Sequence, residues 1–262
     1  MAQAKITIRS LSKRYLEGAV LAFENLNLEV LENEILCILG PSGCGKTTLL
    51  KIIDGLMPPD AGEVRIDGEG VQGPRPTVAM VFQHFGLFPW KTVAENIGYG
   101  LRVQGRPQAE IDAALRKYVK MVGLEGFEKA YPYQLSGGMQ QRCGLARALA
   151  INPRILLMDE PFGAVDAQTR EILQEELLRI WEAEKKTMVF ITHSIDEAIL
   201  LGDRVVVMSP RPGQIRETLT VHLPRPRDIN AMRGEKEYLR LRNHIWDVLR
   251  GEKPPAFVSG RR

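Results

Sequence analysis

A strand, a glycine-rich loop and a helix follow one another without a gap near residue 40, and no other feature limits the fold as tightly. Ile35 to Leu39 is an unbroken apolar run. Gly40-Pro41-Ser42-Gly43-Cys44-Gly45-Lys46-Thr47-Thr48 comes next, and Leu49, Ile52 and Ile53 then share one helical face until Gly55 ends the segment. This is the G-x-x-x-x-G-K-[ST] pattern in the setting it requires, with a strand before it and a helix after. The glycines let the backbone curl so that successive N–H groups point inward as an anion nest. The helix starting near Lys46 adds its positive end. Lys46 brings a mobile ammonium for the β- and γ-phosphates of a nucleotide, and Thr47 a hydroxyl for Mg²⁺. A glycine-rich turn beside a chance surface lysine is the alternative. The spacing and both flanks argue against it.

Four further apolar runs read as buried strands: Val78 to Phe82, Ile155 to Met158, Met188 to Ile191 and Val205 to Met208. Continuous runs, rather than alternation, are what a sheet covered on both faces needs. Helical stretches separate them, among them one with Leu173, Leu177, Ile180 and Trp181 on one face, so a largely parallel α/β sheet is expected. Two parts stand outside that core. Lys5 to Glu34, with Gly62 to Asp67, reads as short strands and turns of an antiparallel side sheet. Residues from about 89 to 150 read as an inserted helical subdomain, where Pro107 opens a helix carrying Ile111, Leu115, Tyr118 and Val122. An amphipathic helix at about Glu235 to Arg250 aligns Tyr238, Leu241, Ile245 and Val248. The expected division is 1–232 for the nucleotide-binding domain and 233–262 for a helical tail.

Polar residues stand where these strands end. Gln83 follows one, Asp159 and Glu160 end another, and His193 follows a third. Ligands of open α/β sheets sit beyond the carboxyl ends of the strands, so these side chains are expected to share an edge with the phosphate loop. Asp159 suits a water-mediated role at Mg²⁺, a cation that takes few protein oxygens. Glu160 points elsewhere and can orient or deprotonate an attacking water. Two solvated acids in a turn is the plainer alternative. Leu135-Ser136-Gly137-Gly138-Met139-Gln140-Gln141-Arg142 supplies a second anion site, a serine N-cap and two glycines at a helix start. One nucleotide needs one triphosphate cradle, so the second cradle suggests a nucleotide held by another copy; an ordinary Ser-Gly-Gly helix start is the other reading.

The chain resembles the nucleotide-binding domains of ABC transporters over nearly its whole length. The phosphate loop is similar to their Walker A motif, LSGGMQQR to their signature, Gln83 to the Q-loop, Ile155 to Glu160 to the Walker B motif, Gly163 to Asp166 to the D-loop and His193 to the switch histidine. Tyr15, 25 residues ahead of the phosphate loop, resembles the aromatic that stacks on adenine. Val165 in the D-loop and Met139 in the signature are small departures that remove no functional atom. The resemblance implies a P-loop NTPase (RecA-like) core, ATP and Mg²⁺ as ligands, and a head-to-tail dimer. In that dimer the Walker A residues of one copy and Ser136, Gly137, Gly138, Gln140 and Asp166 of the other enclose each ATP. Catalytic roles then fall to Glu160, His193 and Gln83, and metal contacts to Thr47, Gln83 and Asp159.

Importer subunits are resembled more than exporters, which usually fuse this domain to membrane helices. Leu87-Phe88-Pro89-Trp90, Ser209-Pro210-Arg211-Pro212-Gly213-Gln214-Ile215 and Leu223-Pro224-Arg225-Pro226-Arg227 are similar to segments of the nitrate/sulfonate/taurine group. That likeness implies permease subunits as partners, a separate solute-binding protein, a small and often anionic cargo, and a peripheral place on the cytoplasmic face of the inner membrane. The apolar segment His84 to Trp90, with Phe85, either packs against the helical subdomain or lines a groove for a permease helix.

Composition sets the remaining bounds. The 262 residues are 44% hydrophobic and 26% charged, as in ordinary globular proteins. No apolar run approaches the roughly 20 residues that span a bilayer, and Met1 to Ser10 has no secretory signal pattern. Cys37, Cys44 and Cys143 are too scattered for a disulfide framework. Cys44, beside Lys46 and a helix N-terminus, is expected to favour thiolate, the alternative being a buried inert thiol. Net charge is +3 but uneven: from Arg204 onward 13 Lys or Arg face 6 Asp or Glu, and before it 22 face 26. A basic tail fits an anionic membrane or nucleic acid, or simply a solvated helix face. A soluble ABC ATPase acting on DNA or ribosomes and a non-catalytic nucleotide-binding regulator are the competing classes. The absence of coiled coils and zinc inserts argues against the first, Glu160 and His193 against the second, and no nucleic-acid partner is expected.

Overall fold

The computed structural model describes residues 3–16, 18–83, 86–163 and 165–251. His84 and Phe85 of the apolar segment, Ala164 of the D-loop stretch and the tail beyond Gly251 lie outside the described residues. The chain begins with two twelve-residue antiparallel strands, β1 (Ala4–Tyr15) and β2 (Val20–Leu31). They are longer than the short strands the sequence suggests. Ile6, Ile8 and Leu11 on β1 and Leu26, Leu28 and Val30 on β2 are buried, and the residues between them are mostly exposed or half-buried. That alternation belongs to a sheet with one face in the core. β3 (Ile35–Leu39) is buried throughout and leads through the phosphate loop into α1 (Lys46–Ile53). β4 (Ala61–Ile66) and β5 (Glu69–Gly70) complete a four-stranded sheet in the order β2-β1-β4-β5.

β6 (Val78–Val81) precedes the helical insertion. That region holds α2 (Val93–Val103), α3 (Gln108–Met121), a single 3₁₀ turn at Pro132–Gln134 and α4 (Gly137–Ala150). Thr92 starts α2 with a capping box: its hydroxyl accepts from the Glu95 N–H at 3.2 Å, and the Glu95 carboxylate accepts from the Thr92 N–H at 2.8 Å. The core resumes with β7 (Ile155–Asp159), α5 (Ala167–Glu184), β8 (Thr187–Thr192), α6 (Ile195–Leu201) and β9 (Arg204–Met208). An antiparallel edge strand β10 (Ile215–Thr220), a short α7 (Ile229–Met232) and α8 (Lys236–Arg250) follow. β10, β5 and α7 were not legible as elements in the sequence.

The six-stranded sheet has the order β10-β9-β3-β8-β7-β6, parallel except for β10. Its side chains divide with period two between two cores. Ile35, Cys37 and Leu39 of β3 join Leu156 and Met158 of β7 and Met188 and Phe190 of β8 in one core with α4, α5 and α6. Leu36 and Ile38, Leu157, and Val189 and Ile191 face the other way, toward α1 and the four-stranded sheet. Two covered faces explain why these strands read as continuous apolar runs. α8 contributes Tyr238, Leu241 and Ile245 to the first core, and its Tyr238 hydroxyl donates to Asp196 of α6 at 2.6 Å. The helix therefore packs into the same folded unit as residues 1–232.

The basic Arg225–Arg227 stretch has a structural task. Arg225 pairs with Asp203 at 2.8 Å and lies over the Trp181 ring at 3.9 Å. The buried Arg227 donates to the carbonyls of Leu200 and Gly202, at 2.9 and 2.8 Å, where α6 ends. Carbonyls at a helix terminus lack intrahelical partners, and this guanidinium supplies donors to them.

α1 ends against a carboxylate. Asp54 is buried at the helix C-cap, where the macrodipole disfavours negative charge, and burial pushes its pKa up to about 6. The native state then binds more protons than the unfolded chain between about pH 4 and 6. Stability therefore falls as pH rises through that window and levels off above it. Asp54→Asn removes the penalty. Thermal melts should show the variant more stable at neutral pH by about 1–2 kcal/mol, the two-unit shift discounted for partial solvent access. The gain should shrink as pH drops from 6 toward 4; an equal gain at both ends would mean that ionisation is not its source.

Candidate functional site

The phosphate loop takes its shape from backbone freedom and from what packs behind it. Gly43 and Gly45 have φ of 80° and 98°, conformations that side-chain-bearing residues rarely adopt. At Gly45 a Cβ would also lie 2.8 Å from the Phe23 ring. Lys46 is buried to 5% exposure and folds back along the loop, donating to the Gly40 carbonyl at 2.7 Å and the Pro41 carbonyl at 3.0 Å. The ammonium is thus held at the loop while α1 starts beneath it.

The other strand ends converge there. A cleft of about 300 Å³ is lined by Tyr15, Val20 and Ala22, by Ser42, Gly43 and Gly45 to Thr48 of the loop, and by Gln83, Glu160, His193 and Arg211. Glu160 follows β7 with φ of 49°, in the left-handed region, and its N–H donates to the Ile191 carbonyl of β8 at 3.1 Å. Its carboxylate accepts from the Gln83 amide at 3.2 Å and contacts His193 Nε2. His193 Nδ1 lies 3.3 Å from the Gly40 carbonyl, so both ring nitrogens face acceptors and the imidazole bridges the carboxylate and the phosphate loop. Of the side chains expected at strand ends, Gln83 and His193 therefore both meet Glu160. Tyr15, at the end of β1, shares a hydrogen bond with the Thr48 hydroxyl at 2.9 Å.

Asp159 sits lower, 3% exposed. Burial raises its pKa, and the neighbouring Thr47 hydroxyl and Lys46 oppose that rise. Its Oδ1 has no hydrogen-bond partner among the described residues. A buried carboxylate oxygen without a partner is costly unless something absent from the chain satisfies it. Thr47 and Asp159 together fit a Mg²⁺ ion, which keeps several waters and needs few protein oxygens. Among the described residues, no group of three or more His, Cys, Asp or Glu is arranged to hold a metal.

Cys44 corrects the sequence-based expectation. The thiol is fully buried among the core beneath the loop, and its pKa is raised because burial outweighs the opposing influence of Lys46, 3.8 Å away. The local charge was legible in sequence; the burial, contributed by residues far along the chain, was not. Cys44 is thus the buried thiol of the two readings, and burial disfavours its thiolate. Arg211 was missed as a site residue, because nothing local in the sequence ties it to residue 43.

The signature segment stands apart. Ser136 caps α4, its hydroxyl accepting from the Met139 N–H at 3.3 Å, and Ser136 and Gly137 are exposed. Gln140 donates to the carbonyls of Pro132 and Leu135 at 3.0 and 3.3 Å, bracing the turn before the helix. Asp166 caps α5, accepting from the Thr169 N–H at 3.0 Å. Ser136, Gly137, Gly138, Gln140 and Asp166 do not line the cleft of their own chain.

The sequence profile of the ABC transporter family matches residues 23–163, more than half of the chain, from the wall behind the phosphate loop to the turn after β7. The chain belongs to the ABC transporter family. It is an ATPase subunit of that family, and its relatives are similar over nearly its whole length. An uncharacterised ABC transporter ATP-binding protein of Methanocaldococcus jannaschii is 53% identical, covering 95% of this chain and 93% of its own. A nitrate import ATP-binding protein of Synechocystis is 44% identical over 90% of this chain and 91% of its own. An aliphatic sulfonates import ATP-binding protein of Bacillus cereus is 46% identical over 86% and 90%. Among solved structures, a dimeric ATP-binding cassette in a post-hydrolysis state with ADP and Pi aligns with a TM-score of 0.76. It is 34% identical and covers 84% of this chain and 100% of its own.

Proposed function

We propose that this ABC subunit drives an importer, coupling ATP hydrolysis to uptake of a small anionic solute such as a sulfonate, nitrate or bicarbonate. The observation that carries the reading is the end-to-end similarity to import ATP-binding proteins for nitrate and for aliphatic sulfonates. Their near-equal identities, 44% and 46%, favour neither cargo. No helix among the described residues is long and apolar enough to cross a membrane. The chain would act as a peripheral subunit on the cytoplasmic face of the inner membrane, beside permease subunits and a separate solute-binding protein. Two copies would form the working unit. The exposed Ser136 and Gly137 of the signature, which do not line the cleft of their own chain, support that reading by leaving their surface open to the cleft of another copy.

In this reading the residues divide the work by position. The loop N–H groups and Lys46 bind the phosphates, and the Tyr15 ring offers a face for adenine. Thr47 and Asp159, with Gln83 nearby, would hold Mg²⁺, which supplies charge neutralisation at the phosphates. Glu160 accepts a proton from the attacking water, and Gln83 and His193 hold its carboxylate in place.

Co-expression with a permease of the nitrate/sulfonate group tests the proposal, with uptake of labelled nitrate, taurine and bicarbonate as the readout. ATP-dependent uptake of one of them is expected; a chain that never associates with a permease would overturn the importer assignment. Within the subunit, Lys46→Ala should weaken ATP binding and hydrolysis together. A charge-assisted phosphate contact is lost in both ground and transition states, at a cost of about tenfold or more in affinity. Titration with labelled ATP measures it, and unchanged affinity would remove Lys46 from the phosphates.

A further inference from the structure

We propose that Arg211 is a polyphosphate-binding residue, a second fixed cation alongside Lys46 that grips the phosphates of the bound nucleotide. The inference rests on the cleft being the nucleotide site and adds a residue to it.

Arg211 sits on the turn between β9 and β10, and backbone contacts pin that turn to the phosphate loop. The Ser209 N–H donates to the Gln214 carbonyl at 2.9 Å, and the Gln214 N–H donates back to the Ser209 hydroxyl at 2.9 Å. The Gly213 N–H donates to the Ala22 carbonyl at 2.7 Å. Gly213 also lies so close to the loop that a Cβ on it would fall 2.0 Å from the Cys44 carbonyl oxygen. Only glycine fits there. The turn therefore cannot drift from the cradle without breaking these contacts.

That anchoring delivers the Arg211 side chain into the cleft, with Nη2 3.6 Å from where a Cβ on Gly43 would lie. Among the described residues the guanidinium has no hydrogen-bond or ion-pair partner. Of the carboxylates nearby, Glu160 is engaged by Gln83 and His193, and Asp159 is buried beside Thr47. An arginine is permanently charged. Setting it unpaired beside a lysine and an anion nest raises the local positive potential, which is unfavourable until an anion arrives. The planar fork of N–H donors matches phosphate oxygens, in two-point contact where geometry allows. Adenine and ribose carry no charge for it to meet.

Competition against a fluorescent ATP analogue, on the full chain with Mg²⁺ present, tests the assignment with ATP, inorganic tripolyphosphate and AMP as competitors. Arg211→Gln should lose about tenfold in affinity for ATP and for tripolyphosphate, and less than about twofold for AMP. Arg211→Lys, which keeps the charge, should recover ATP affinity to within about threefold of wild type. The side chain is exposed and its turn is held by backbone groups, so both variants should melt as wild type does; Arg211→Ala gives the same comparison if the glutamine variant does not. Unchanged ATP affinity in Arg211→Gln would overturn the proposal, as would an equal loss for AMP, which would place the arginine at the nucleoside. Lys46→Ala in the same assay separates the two levels: if it binds ATP like wild type, the reading of the cleft fails rather than the role of Arg211.

Discussion

Glu160→Gln is expected to slow ATP turnover by about 10²–10⁴-fold, the range for losing a general base, while ATP affinity stays within a few-fold of wild type. The amide has the shape of the carboxylate and can stay in the same place, because the backbone is anchored by the Glu160 N–H on the Ile191 carbonyl at 3.1 Å. It cannot take up a proton. The left-handed φ of 49° points to the same function. A non-glycine residue held there costs roughly 1–2 kcal/mol, and the conformation aims the side chain at Gln83 and His193 instead of continuing β7. With chemistry blocked and binding intact, the variant should accumulate as an ATP-bound dimer. Phosphate release, labelled-ATP titration and size-exclusion chromatography with ATP give the three readouts. Near-normal phosphate release would exclude Glu160 as the base.

What the sequence disclosed and what it hid divide along a physical line. The phosphate loop, the parallel strands and the capping serine of the signature depend on near neighbours: glycines at fixed offsets, runs covered on two faces, a hydroxyl three residues from its N–H partner. All were legible. β10 was not. A bulge between Ile215 and Glu217 shifts its register, and Ile215 packs toward one core while Leu219 packs toward the other, so no simple apolar alternation marks the strand. The strand makes sense only once His244 of α8 meets Glu217 at 2.9 Å from 27 residues away. Arg211 was hidden for the same reason, since the contacts that bring it to Gly43 run through Ala22 and Cys44. Cys44 shows the opposite failure. Its neighbours in sequence, Lys46 and the helix start, suggested a reactive thiolate, and burial by distant residues outweighed them.

The same division between local pattern and long-range packing decides how the apolar segment after Gln83 behaves, and Trp90→Ala is the variant that exposes it. The segment splits in two. Leu87 packs against the main core, and Phe88 is clamped by the buried Asn96, which accepts from the Phe88 N–H at 2.8 Å and donates to the Phe88 carbonyl at 3.2 Å. The Phe88 ring lies 4.5 Å from Tyr99 and 5.8 Å from Trp90, and the Arg147 guanidinium sits 5.6 Å from it. Trp90 is the outer edge of this cluster, 69% exposed. The aromatic cluster of Phe88, Tyr99 and Trp90 leaves one large ring turned to water. It suits a docking surface for the proposed permease, because exposed tryptophans on preformed backbone often dominate interface energy. Removing Trp90 costs the isolated subunit little packing, so melting temperature and ATPase activity should stay near wild type. Permease binding should weaken by about 30-fold or more, the loss expected for a hot spot of at least 2 kcal/mol, and uptake in cells should cease. Pull-down of the permease, alongside melting and phosphate release by the subunit alone, measures all three. A variant that melts far below wild type would make Trp90 a packing residue, and one that still retains the permease would move the coupling surface elsewhere.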